Sequence, residues 1–70
     1  MSRLEFEVGD EVIEKLMGKR GIIRRISNDG WYQVRLHDYP YTTETDTHTR
    51  LPESMKHTKK SILKKFFNGL

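Results

Sequence analysis

Cations are the most numerous charged side chains in this 70-residue chain, 13 Lys/Arg against 10 Asp/Glu. Arg20, Arg24, Arg25 and Arg35 fall in or beside the apolar runs of the first half, and Lys56, Lys59, Lys60, Lys64 and Lys65 crowd the C-terminal end. Cations interleaved with an aromatic are the minimum for holding single-stranded nucleic acid, because phosphates meet the charges and a base stacks on the ring. Trp31 supplies that ring, on the same expected outer face as Arg35. The competing reading is a solvated sheet face whose arginines pair with Glu5, Glu7, Glu11 or Glu14. Other reactive types are in weaker patterns. His37, His48 and His57 show no metal-ligand spacing, and without Cys no thiolate site can form, so they are expected to face solvent. Asp38, Glu44 and Asp46 are close in sequence, but nothing beside them would raise a carboxyl pKa or partner a nucleophile. The expectation is a non-catalytic binding protein with no metal and no cofactor.

Charge is unevenly spread. Residues 1–54 carry eight Lys/Arg against ten Asp/Glu, a balance of −2, while residues 55–70 carry five Lys and no acid, a balance of +5, for a net +3. The basic character therefore sits mainly in the tail, and the rest of the chain is mixed in sign. Seventy residues allow one domain, which at this size buries only about 60% of its unfolded surface. The lack of Cys fits a reducing cytoplasm. The first residues, MSRLEFEVGDE, have no apolar leader-like core, and no stretch approaches the ~18 apolar residues of a membrane span.

These cations are positioned by Val8–Ser27, VGDEVIEKLMGKRGIIRRIS. Gly9-Asp10 is turn chemistry, Glu11–Leu16 leans to strand, Gly18–Gly21 closes it, and Gly21–Ser27 is a second strand rich in isoleucine. Ile23 and Ile26 are three apart, so both can face one core only if the strand is bulged or strongly coiled. Asn28-Asp29-Gly30 is the clearest hairpin signal. It leads into Trp31–Leu36, where Tyr32, Val34 and Leu36 alternate with Trp31, Gln33 and Arg35. The aliphatic set is assigned to the core. Residues 1–7 are read as an edge strand or a cover over the barrel mouth.

The Thr-rich segment 37–50 holds nothing that can fill a core, so it is an exposed edge hairpin or a mobile loop. It reads as a partly ordered loop with a short fourth strand near Tyr41–Glu44, and Leu51 before Pro52 as a last short strand. Glu53–Lys60 is a polar connection. Ser61–Asn68 has helical periodicity: Ile62, Leu63, Phe66, Phe67 and Leu70 fall within an arc of about 140°, with Lys64 and Lys65 pointing away. Asn68-Gly69 is a stop signal. A helix this short needs a partner for its apolar face. The barrel itself, a groove on another protein and an anionic membrane surface are the three choices, and each leaves all five tail lysines in water.

The run Val8-Gly9-Asp10-x-Val12, then Gly18-x-x-Gly21-x-Ile23-x-x-Ile26, resembles the KOW motif and the wider SH3-like, Tudor-like small-barrel superfamily. The match covers about the first 27 residues, and the barrel reading extends to about Leu51. That superfamily includes modules of transcription elongation factors and ribosomal proteins, and many small barrels from bacteria and their phages. The resemblance implies a mainly β fold, a small SH3-like barrel of about five strands over 1–54, followed by a basic amphipathic helical tail over 55–70. It also favours association with nucleic acid or a nucleoprotein assembly. The residues expected to bind it are Arg20, Arg25, Trp31, Arg35, Lys59, Lys60, Lys64 and Lys65. The alternative is a protein-interaction module, of phage or mobile-element origin among the options, docking through Trp31, Tyr39, Tyr41 or the tail helix. On Tudor-like barrels such aromatics can also form a cage for methylated Lys or Arg with an acid such as Asp38 nearby, although here they are read chiefly as covers over a small core.

Overall fold

The β-branched runs become strands in the structure, a computed structural model that describes residues 5–68. Strands β1 (Glu11–Glu14), β2 (Lys19–Ile26) and β3 (Tyr32–Leu36) form an antiparallel meander. Two three-residue strands, β4 (His48–Arg50) and β5 (Met55–His57), pair with β3 and β1, giving the order β4-β3-β2-β1-β5. A 3₁₀ turn over Pro52–Ser54 precedes β5, and helix α1 (Lys59–Asn68) follows it. The architecture is mainly β: five antiparallel strands curled into a half-barrel, with one short C-terminal helix.

The bend that the isoleucine spacing demands lies between Ile23 and Arg25. Ile23 pairs with Val34 but Arg25 pairs with Gln33, so Arg24 is an extra residue on β2. This bulge restores the phase, and Ile26, opposite Tyr32, again packs against the core. Strand β2 can therefore serve both halves of the curl. Gly21 is the second requirement. A Cβ there would lie 2.7 Å from the Arg35 carbonyl oxygen and 3.0 Å from Val34 Cγ1, so only glycine permits β2 and β3 to approach this closely.

Val12, Ile23, Val34, Leu36 and Met55 make the buried core, with Phe6, Ile26, Tyr32 and Tyr41 packed around it. Phe6 lies edge-on to Tyr32 and stacks on His57, so the described end of the N-terminal segment covers the core. Residues 1–4, the rest of the expected edge strand or cover, lie outside the described residues. The curl is fastened by an ion pair. Arg50 on β4 donates from Nε to Glu14 Oε1 on β1 at 2.9 Å. These strands stand three places apart in the sheet, about 14 Å if it were flat, so the pair spans the interior of the curl. Glu14 is fully buried and also accepts the N–H groups of Leu16 and Met17.

Several expectations are corrected. The fourth strand is His48–Arg50 rather than Tyr41–Glu44, and Leu51 is half-buried outside any strand. The last strand lies in the segment read as a polar connection, because Met55 supplies the buried side chain. Segment 37–47 does hold a core-packing side chain, Tyr41, whose hydroxyl accepts the Leu36 N–H. His48 and His57 are half-buried with partners. His48 Nδ1 is 2.7 Å from the Tyr41 hydroxyl, and His57 Nδ1 is 3.0 Å from Ser61 Oγ. Only His37 among the three is exposed.

The helix differs from expectation at its start. It starts two residues earlier than the periodicity suggests, because Thr58 accepts the Ser61 N–H on its hydroxyl and caps the first turn. It rests on the barrel through buried Ser61, half-buried Ile62 and Lys65, while Leu63, Phe66 and Phe67 remain exposed. At this contact the barrel presents polar partners to the helix, among them Asp10, Glu11 and His57. Lys65 Nζ donates to Asp10 Oδ2 and to the Glu5 carbonyl, both at 2.9 Å. Leu70 lies outside the described residues.

Candidate nucleic-acid interface

Strand pairing sets the cations in rows. Arg20 on β2 is opposite Ile13 on β1, and Ile13 is opposite Lys56 on β5, so the three share the outer face of the sheet. At one end of this row the chain turns through Thr58 into α1, which brings Lys59 and Lys60 to the same place. The result is an open groove lined by Glu11, Ile13, Arg20, Lys56, Lys59 and Lys60. A smaller hollow continues it along the helix past Ile22, Lys60 and Lys64. Four cations from β2, β5 and α1 thus border the groove, Lys64 borders the hollow that shares Glu11 and Lys60 with it, and all five are exposed.

Two carboxylates lie in the same surface, and each is engaged. Glu11 Oε1 accepts the Thr58 hydroxyl at 3.0 Å, and its other oxygen is 3.4 Å from His37 Nε2. The Thr58 hydrogen bond holds the Glu11 carboxyl below its ordinary pKa against the effect of burial, with help from His37 and Lys60. Glu11 therefore stays ionised and steadies the helix N-terminus, where Lys59 and Lys60 would otherwise face an unfavourable dipole. Asp10 is bonded to Lys65 and to the Glu7 N–H. Burial pulls the Lys65 pKa down, but the hydrogen bond and charge of Asp10, with Glu7, outweigh it and hold it above the ordinary value.

The expected binding residues separate into three groups. Arg20, Lys59, Lys60 and Lys64 come together at the groove and the hollow beside it. Arg25 and Trp31 are exposed but stand at the β2–β3 hairpin, among neither the groove nor the hollow residues. Lys65 and Arg35 are engaged away from the groove. Arg35 Nη1 donates to the carbonyls of Thr43, Glu44 and Asp46 at 3.1, 2.9 and 2.8 Å, and its guanidinium lies 4.4 Å over the Tyr41 ring. It organises the acidic loop from inside. Lys56, outside the expected set, joins the groove because β5 pairs with β1. The readable signal for it would have been a strand at Met55–His57.

The aromatic residues do not assemble as a three-ring cage. Tyr39, Tyr41 and His48 pack on one another, with ring centroids 4.4–5.5 Å apart, and Arg35 already covers a face of Tyr41. Among the described residues no three His, Asp or Glu side chains gather as metal ligands would, and no helix is long and apolar enough to cross a membrane. No protein-family profile, curated protein or solved structure matches the chain.

Proposed function

We propose that this protein is a non-catalytic, nucleic-acid-associated module that acts in the cytoplasm and grips the phosphate backbone without reading sequence. The observation that carries the reading is the convergence of Arg20, Lys56, Lys59 and Lys60 on one groove, with Lys64 on the hollow beside it, where the acids Glu11 and Asp10 are already engaged. Exposed ammonium groups on an open surface suit phosphate binding, which depends on charge rather than on fixed geometry. The likeness of Val8–Ile26 to the KOW motif of SH3-like barrels supports the same reading. Arg25 and Trp31 would extend the bound strand's path toward the hairpin, while Arg35 and Lys65 keep structural duties.

An NMR titration with a short oligonucleotide at two salt concentrations tests this. Amide shifts should concentrate around Arg20, Lys56 and residues 58–64, and binding should be weak and nearly independent of sequence. Changing Lys56, Lys59, Lys60 and Lys64 to Gln should lower the slope of log K against log salt by about 0.7–0.9 for each phosphate no longer neutralised. The melting temperature should hardly move, since these side chains are exposed. No shift at low salt would refute the function.

A further inference from the structure

Helix α1 displays two unlike sides. Ser61, Ile62 and Lys65 face the barrel, whereas Leu63, Phe66 and Phe67 are 54%, 47% and 67% exposed. The helix contains no acid, and Lys59, Lys60 and Lys64 are exposed beside this apolar side. At ~100° per residue, Lys59 stands nearly in line with Phe66 and Lys60 with Phe67, with Leu63 between the two lines. One helix surface therefore runs from cations at the groove to aromatic rings about 10 Å further on.

The occupant of such a surface must be anionic and must also offer apolar faces about 10 Å from its charges. A second copy of the chain would set lysines against lysines. A nucleic-acid duplex offers phosphates but keeps its base faces inside the stack. A single strand offers both, since its phosphates can follow the cations while unstacked bases lie on aromatic rings. We infer that α1 makes the protein selective for single-stranded over duplex nucleic acid, with Phe66 and Phe67 as the stacking surface, Leu63 as its floor and Lys59, Lys60 and Lys64 on the phosphates. The inference rests on the function proposed above and moves the stacking role from Trp31 to the helix.

Fluorescence anisotropy at low salt tests it, with a labelled oligothymidine, a duplex of equal length, and phosphatidylcholine vesicles containing phosphatidylglycerol as probes. Wild type should favour the single strand. The double variant Phe66→Leu/Phe67→Leu keeps the apolar area but removes the rings. It should lose about tenfold in single-strand affinity, with duplex affinity and salt slope unchanged. Phe66→Tyr/Phe67→Tyr keeps the rings and should bind like wild type, which guards against a folding defect in the Leu variant. Lys59→Gln/Lys60→Gln/Lys64→Gln should weaken single strand and duplex alike. Equal wild-type affinity for single strand and duplex, or full single-strand affinity in the Leu variant, would overturn the stacking role and leave phosphate binding standing. Binding to vesicles but to neither oligonucleotide would overturn both. Self-association that survives in the Leu variant would assign the face to a second copy and overturn the inference.

Discussion

Glu14→Gln exchanges one buried oxygen for an amide nitrogen and removes one charge. In the native protein Oε1 accepts Arg50 Nε and the Leu16 N–H, and Oε2 accepts the Met17 N–H, at 2.8–2.9 Å. A Gln amide can place its oxygen at only one of these positions. With the oxygen toward Arg50, the NH₂ group meets the Met17 N–H, donor against donor; turned the other way, it opposes two donors. One buried donor is thus left unmet, which costs about 1–3 kcal/mol, and Arg50 loses its counter-charge. Breaking a fully buried pair costs about 3–5 kcal/mol, and the 18% exposure of the Arg50 side chain lowers that share. The expected loss is about 2–4 kcal/mol, out of roughly 3.5–10 for a domain of this size. Urea denaturation at pH 7 should show it as a lower midpoint with an unchanged slope. The pH dependence gives a second check. Burial pushes the Glu14 carboxyl up, but Arg50 and the two N–H groups outweigh it and hold the pKa below the ordinary value. The stabilisation is therefore present above the unfolded pKa of about 4.3 and disappears as pH falls through the lower folded value. The gap between wild type and variant should be widest near neutrality and shrink in acid. A gap under 1 kcal/mol at pH 7, or one that holds constant down to about pH 2, would refute the assignment of this pair as the fastening of the curl.

Gly21→Ala drives a methyl group against the Arg35 carbonyl, a backbone atom that cannot yield without moving β3, so it should cost about 1–3 kcal/mol by denaturant unfolding. Arg35→Lys replaces the planar guanidinium that holds the loop carbonyls and covers Tyr41 at once by a flexible ammonium that lacks the flat face. Hydrogen exchange should therefore quicken across residues 42–46, with oligonucleotide affinity unchanged. Lys65→Gln removes the cation from Asp10 and the Glu5 carbonyl. It should loosen α1 from the N-terminal segment, seen as faster exchange over 62–67, and a melting point and exchange pattern like wild type would discount that anchor.

The strands and their curvature were legible because they depend on near neighbours. The three-residue step from Ile23 to Ile26 demands a bulge in any sheet that buries both, and Asp29-Gly30 demands a turn whatever surrounds it. Val34 and Leu36 could be assigned to the core from alternation alone. Arg20, Lys59, Lys60 and Lys64 could be named as exposed cations by type, but their meeting depends on β5 pairing with β1, across 40 or more residues of chain. Met55–His57 is too short and too mixed to announce a strand, so Lys56 was hidden with it. The facing of α1 depended on the barrel too. Periodicity defines an apolar stripe, yet which side of a helix meets its neighbour is decided by what that neighbour has left unsatisfied. Here Asp10 and His57 offered polar partners to Lys65 and Ser61. Lys65 was thereby drawn inward to Asp10, and the phenylalanines were left in water.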